Sequence, residues 1–249
     1  MKFAGGRMHM QKHTFQPKAP LEQKQLRLTQ TLHQAFEQKV QRYPQAIVLN
    51  TENGLGLTYE QLNQRANQLA HYILQIKQQM GETDAFSPVI GICLEHDEEM
   101  LVSILAILKA GLAYLPINST HGAERIGFYI EDAGIELVIG VLQYQSLFDE
   151  SKVDYLCIDS EKAFIQTMPL HNPDVSIHSD PLACIVYVSK TAGVSKGVEI
   201  SHTSAMRLSA MRSLRAEKYH LDLTKNNSTE NDIWTLLDAS TFEVHTMGK

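Results

Sequence analysis

Cysteine is scarce in this chain. The three present, Cys93, Cys157 and Cys184, each lie in an apolar stretch ("VIGICL", "VDYLCI", "LACIVYV") and none has a partner at CxxC spacing. That argues against a disulfide-stapled secreted fold and reads as buried thiols in a reducing compartment. A clustered basic block is also missing. Lys and Arg number 22 against 28 Asp and Glu, a net charge of −6, so a nucleic-acid partner is not expected. No apolar run is long enough for a bilayer, because "MLVSILAILKAGLAYLPI" is broken by Lys109, Gly111 and Pro116. The start, "MKFAGGRMHMQKHTF", lacks a signal-peptide core. A cytoplasmic location and no membrane partner are the expectations. No metal-ligand set stands out either. His9 and His13 are four apart, but nothing apolar around them supports a helix.

What is present is a globular composition, 43% hydrophobic and 20% charged over 249 residues, long enough to bury a core. Residues 1–30 are polar and punctuated by Gly and Pro, and read as a flexible leader. From Thr31 the pattern turns helical, with Leu32, Phe36 and Val40 on one face and Pro44 as the stop. "AIVLN" and "LTY" read as extended segments around the turn "TENGLG". Thr58 with Gln61 forms a capping box, and Leu62, Ala66, Leu69, Ala70 and Ile73 make one apolar face behind it.

Strand and helix patterns then alternate. Strands are expected near 89–94, 113–117, 136–140, 153–158 and 182–189. Helical patterns cover "DEEMLVSILAILKAG", "AERIGFYIEDAG" and, briefly, "YQSLFDE". Lys109 and Gly111 suit the C-terminal turn of the first. Glu161 to Pro181 reads as a connecting loop. Alternation of this kind implies an α/β fold: three layers, with a mostly parallel sheet and helices on both faces.

"YVSKTAGVSKGVEISH" (187–202) leaves the carboxyl end of the last strand, the edge where ligands bind in open α/β sheets. Ser189, Thr191 and Ser195 offer hydroxyls. Gly193 and Gly197 offer close backbone approach and positive φ, and Lys196 a point charge. A Walker A loop is excluded, since no Gly-Lys-Ser/Thr closes it. On composition, a phosphate cradle and a plain turn between two strands stand equal.

Four segments occur in order: "LTYEQLN" (57–63), "LKAGLAYLPIN" (108–118), "AERIGFYIEDAGIELVI" (123–139) and the loop itself. They resemble successive motifs of the adenylate-forming (AMP-binding) superfamily, most closely the amino-acid-activating adenylation domains of nonribosomal peptide synthetases. "TLHQAFEQKVQRYPQAIVL" (31–49) is similar to their opening segment. The resemblance implies ATP and Mg²⁺ as cofactors, a carboxylate or amino acid as substrate, and activation to an acyl-adenylate for transfer to a carrier thiol. It implies phosphate binding by Ser189, Thr191, Gly193, Lys196 and Gly197. "DASTFEVHTMGK" (238–249) is similar to the substrate-site motif, with Glu243 in place of an Asp that pairs with the substrate amino group.

The sequence also departs from that pattern. Lys190 stands where the family loop has glycine, which makes any positive φ there costly by about 1 kcal/mol. Ala192 lacks a hydroxyl worth roughly 0.5–1.5 kcal/mol. Val188 and Ser195 differ as well. Residues 31–249 are expected to form only the N-terminal part of an adenylation core, without the mobile C-terminal subdomain and its lysine, so no catalytic residue is assigned. The chain is then expected to be inactive alone and to need another chain for the missing half. A degenerate, non-catalytic nucleotide-binding or scaffold module is the alternative.

Overall fold

The computed structural model describes residues 30–50, 56–80, 88–95, 97–149, 151–176, 181–189 and 195–208. The expected leader therefore lies almost wholly outside the described residues. Helix α1 (Leu32–Arg42) starts at Thr31, and α2 (Tyr59–Gln79) at Thr58; both have complete capping boxes with the Gln three residues on. Between them β1 (Ile47–Asn50) and β2 (Gly56–Thr58) pair antiparallel.

The main sheet has six strands. In chain order they are β3 (Val89–Cys93), β4 (Ala113–Pro116), β5 (Leu137–Gly140), β6 (Asp154–Cys157), β7 (Leu182–Ser189) and β8 (Ser195–Ser201). In space they run β6-β5-β3-β4-β7-β8. The first five are parallel, and β8 returns antiparallel to β7. Helices α3 (Glu98–Lys109), α4 (Ala123–Ala133) and α5 (Ile158–Ile165), with a 3₁₀ turn at Leu142–Phe148, connect the parallel strands.

Strand periodicity divides the core into two faces. Ile90, Ile92, Tyr114, Leu137, Ile139, Cys184 and Val186 face α1, α2 and α3. Val89, Cys93, Ala113, Leu115, Val138 and Ile185 face α4 and the 3₁₀ turn. Every residue of α3 from Met100 to Lys109 is buried, because α2 covers the side turned away from the sheet. A helix apolar all round belongs in such a place. The three-layer α/β expectation holds, and all three cysteines are free and buried.

Three local expectations change. The stretch from Glu161 begins inside α5, and only the part after it is irregular. The loop after β7 leads first into β8 and only then into a helical stretch at 202–208. Lys109 does not merely face the α3 carboxyl dipole. It is 2% exposed, ion-paired to Glu37 of α1, and donates to Asn172 Oδ1 at 3.1 Å.

Candidate phosphate-binding site

Because β7 runs parallel to β4, its end at Ser189 lies on the same edge of the sheet as the ends of β3, β4, β5 and β6. The hairpin that carries the loop closes there, with Ser189 opposite Ser195, Val188 opposite Lys196 and Tyr187 opposite Gly197.

The predicted residues divide accordingly. Ser189, Lys196 and Gly197 are on the hairpin arms. Thr191 and Gly193, with the departures Lys190 and Ala192, lie outside the described residues, as does Glu243. Lys196 is exposed, and no ion pair holds it among the described residues. Gly197 corrects the sequence reading. It is extended strand, and the only described glycines with positive φ are Gly111 and Gly134. A Cβ at 197 would sit 3.4 Å from Ile185 Cγ2 and Tyr187 Cζ, an ordinary contact. Its conformation does not require glycine.

Close approach is required elsewhere on this edge. A Cβ on Gly140, at the end of β5, would overlap the Tyr155 hydroxyl, which donates to the Val141 carbonyl at 2.8 Å. Tyr144 of the 3₁₀ turn donates to the Glu95 carboxylate just beyond β3. The Cys93 thiol at the end of β3 is pushed up to about 12 by burial and the nearby Glu95 charge. It stays a neutral thiol, unsuited to nucleophilic attack. Beyond β4, Asn118 Oδ1 accepts from the Thr120 N–H and hydroxyl, each at 2.8 Å.

Aromatic side chains flank the hairpin on the α4 side, an arrangement the sequence reading missed. Tyr187 stacks on Tyr129 with ring centroids 4.1 Å apart, and Phe128 meets it edge-on at 5.9 Å. The Tyr187 hydroxyl donates to Asp132 Oδ2 at 2.6 Å. Arg125 Nε donates to the Tyr129 hydroxyl at 2.6 Å. The available signal was helical spacing: Arg125, Phe128, Tyr129 and Asp132 recur at three and four residues along α4.

The hairpin arms end on the carboxyl edge of the sheet, and Lys196 is exposed on one of them. No group of three or more His, Cys, Asp or Glu able to hold a metal ion occurs among the described residues. No helix among them is long and apolar enough to cross a membrane.

An open, mostly parallel sheet with helices on both faces and an antiparallel hairpin strand at one side defines an α/β class. The family can be stated more closely: the chain belongs to the AMP-binding enzymes, whose pattern matches residues 36–240. Over 177 residues, 71% of this chain, it is 36% identical to a linear gramicidin synthase of Brevibacillus parabrevis. Over 215 residues, 86% of this chain, it is 31% identical to malpinin synthetase of Mortierella alpina. It spans only 2% and 3% of those two relatives. Among solved structures, the nonribosomal peptide synthetase FmoA3 matches with a TM-score of 0.63 at 22% identity, over 85% of this chain and 22% of that one. The N-terminal subdomain of Klebsiella oxytoca NpsA matches with a TM-score of 0.61 at 23% identity, over 73% of this chain and 44% of that one. The chain therefore has the fold of the N-terminal part of an adenylation domain and is an AMP-binding-family segment with nonribosomal peptide synthetase relatives.

Proposed function

We propose that residues 31–249 form the phosphate-facing part of a unit that activates a carboxylate, specifically an amino acid, with ATP for thioester transfer in nonribosomal peptide synthesis. The observation that supports this best is the hairpin's place. The strands that flank the segment resembling the family's phosphate motif end at the carboxyl edge of a parallel sheet, and Lys196 on one of them is exposed. In this reading Lys196 offsets phosphate charge. Ser189 and Thr191 donate hydroxyl hydrogen bonds, and Gly193 and Gly197 let the backbone approach. Glu243 pairs with the substrate amino group. ATP, carrying Mg²⁺ on its phosphates, would supply the adenylyl group, with the substrate carboxylate bonding to the α-phosphorus as pyrophosphate leaves. The chain's own contribution is to hold that leaving group and balance its charge. A carrier protein is the partner.

The test is amino-acid-dependent ATP–pyrophosphate exchange by the purified chain, alongside tripolyphosphate titration. The expected result is salt-sensitive tripolyphosphate binding without exchange, weakened by Lys196→Ala. Lys190→Gly with Ala192→Thr is expected to strengthen binding and still give no exchange. Robust exchange by the chain alone would show that these residues suffice for the activation step. No binding at low salt would refute the phosphate site and favour a scaffold role.

A further inference from the structure

We infer that Tyr187 and Asp132 are a positioning pair: the bond between the β7 phenol and the α4 carboxylate sets where the phosphate-facing hairpin stands against the sheet. This rests on the phosphate reading of that hairpin. The need for an anchor comes from the ladder. β7 is registered on β4 at one pair only, Tyr114 with Cys184. With that register β4 ends at Pro116 alongside Val186, so only Tyr187 to Ser189 lie past it, paired with β8. The outer end of the hairpin therefore extends past its ladder to the sheet.

Tyr187 is the side chain that reaches back. It lies two residues before Ser189 and opposite Gly197. Its hydroxyl donates to Asp132 Oδ2 at 2.6 Å, its ring stacks on Tyr129 at 4.1 Å, and Phe128 closes its edge at 5.9 Å. The Tyr187 ring lies beside Gly197 of β8, with Cζ 3.4 Å from where a Cβ would be.

The helix on the other side is fixed independently. Ile126 and Ile130 of α4 are buried in the sheet-facing core, and Arg125 holds the Tyr129 hydroxyl. Apolar stacking resists separation but is non-directional. A hydrogen bond to a carboxylate adds a directional restraint. Burial, and then the Asp132 carboxylate, push the Tyr187 phenol above its ordinary value, so it remains a donor at neutral pH.

The experiment uses the full chain. Amide hydrogen exchange is measured at 186–189 and 195–200, with β3 and β5 amides as the internal reference. Tripolyphosphate is titrated in parallel. Tyr187→Phe and Asp132→Ala are each expected to raise hairpin exchange about tenfold, as loss of a charge-assisted bond allows. β3 and β5 should stay unchanged. The double variant should be no looser than either single one. Asp132→Asn, which keeps an acceptor, should recover most of the protection. The same variants should weaken tripolyphosphate binding severalfold.

Unchanged hairpin exchange, additive singles or equal loosening of β3 and β5 would overturn the pair. Raised hairpin exchange with unweakened tripolyphosphate binding would reduce it to packing and overturn the positioning role. Failure of the unaltered chain to bind tripolyphosphate would instead refute the phosphate reading, while the exchange data still decide whether the pair holds the hairpin. If Tyr187→Phe fails to fold, the Asp132→Ala and Asp132→Asn comparison decides alone.

Discussion

At position 33 an imidazole is buried in the first turn of α1, edge-on to His202 at 5.7 Å. Burial, then the His202 and Lys109 charges, lower its pKa to about 3. The folded protein thus holds His33 neutral where the unfolded chain, at an ordinary 6.5, takes up a proton. Stability from this group is complete above about pH 6.5 and falls as pH drops toward about 3, at about 1.4 kcal/mol per pH unit. Urea midpoints between about pH 7 and 5 should fall accordingly, and His33→Gln should flatten the slope. The neighbouring Lys109 is buried with a charge. Burial pushes its ammonium below the ordinary value, and Glu37 opposes that shift. Glu37→Ala should cost on the order of 3 kcal/mol, because it strands the charge. Lys109→Met added to it should recover much of the loss in urea unfolding. Neither partnership was legible in the sequence. Glu37 and Lys109 are 72 positions apart, and nothing local tells a helix-terminal lysine from a buried one.

At the scale of elements, local chemistry was legible where the cause is local. Both capping boxes have the S/T-x-x-Q signature. Gly111 closes α3 with φ 75°, its N–H bonding to the Leu108 carbonyl and that of Leu112 to the Ile107 carbonyl, a Schellman end. The same residue type inside a helix has the opposite worth. Gly127 lies within α4, and a Cβ there meets nothing within 4 Å, whereas one on Gly111 would lie 2.8 Å from Val175 Cγ1. Gly127→Ala should raise stability by about 0.5–1 kcal/mol and Gly111→Ala should lower it by at least about 1 kcal/mol, read as shifts in melting temperature.

The segment after α5 was not legible beyond its irregularity, because its order comes from another element. Asn67 and Gln68 of α2 donate to the Leu170 and Gln166 carbonyls, each at 2.6 Å, and His71 to the His171 carbonyl at 3.1 Å. Amides spaced along one helix face satisfy a backbone strap that has no ladder of its own. Asn67→Ala leaves the Leu170 carbonyl without its donor. It should speed proteolytic cleavage within 166–176 by about fivefold, with the midpoint for global unfolding moving less.

For the molecule as a whole, alternation in the sequence specified a parallel sheet but not its spatial order. Strand order depends on which faces the connections cross. The near-continuous apolar strands, buried on both sides, carry no mark of that. β8 stayed one of two open readings for a related reason: its polar residues suit an edge strand as well as a loop. Among the described residues it pairs on one side only, with β7. Lys196 and Glu199 are exposed along it, but Val198 between them is 40% exposed. Charges protect an edge strand, and an exposed apolar position weakens the protection. Phe128, 42% exposed on α4, and Leu142, 62% exposed in the 3₁₀ turn, add apolar surface to the same molecule. Sedimentation velocity should therefore show concentration-dependent self-association of this chain. Val198→Lys should reduce it, since a charge opposes edge-to-edge pairing, whereas Leu142→Lys should do so only if the 3₁₀ surface is the contact. A monomer at all concentrations would show that the charges at 196 and 199 suffice to protect the edge.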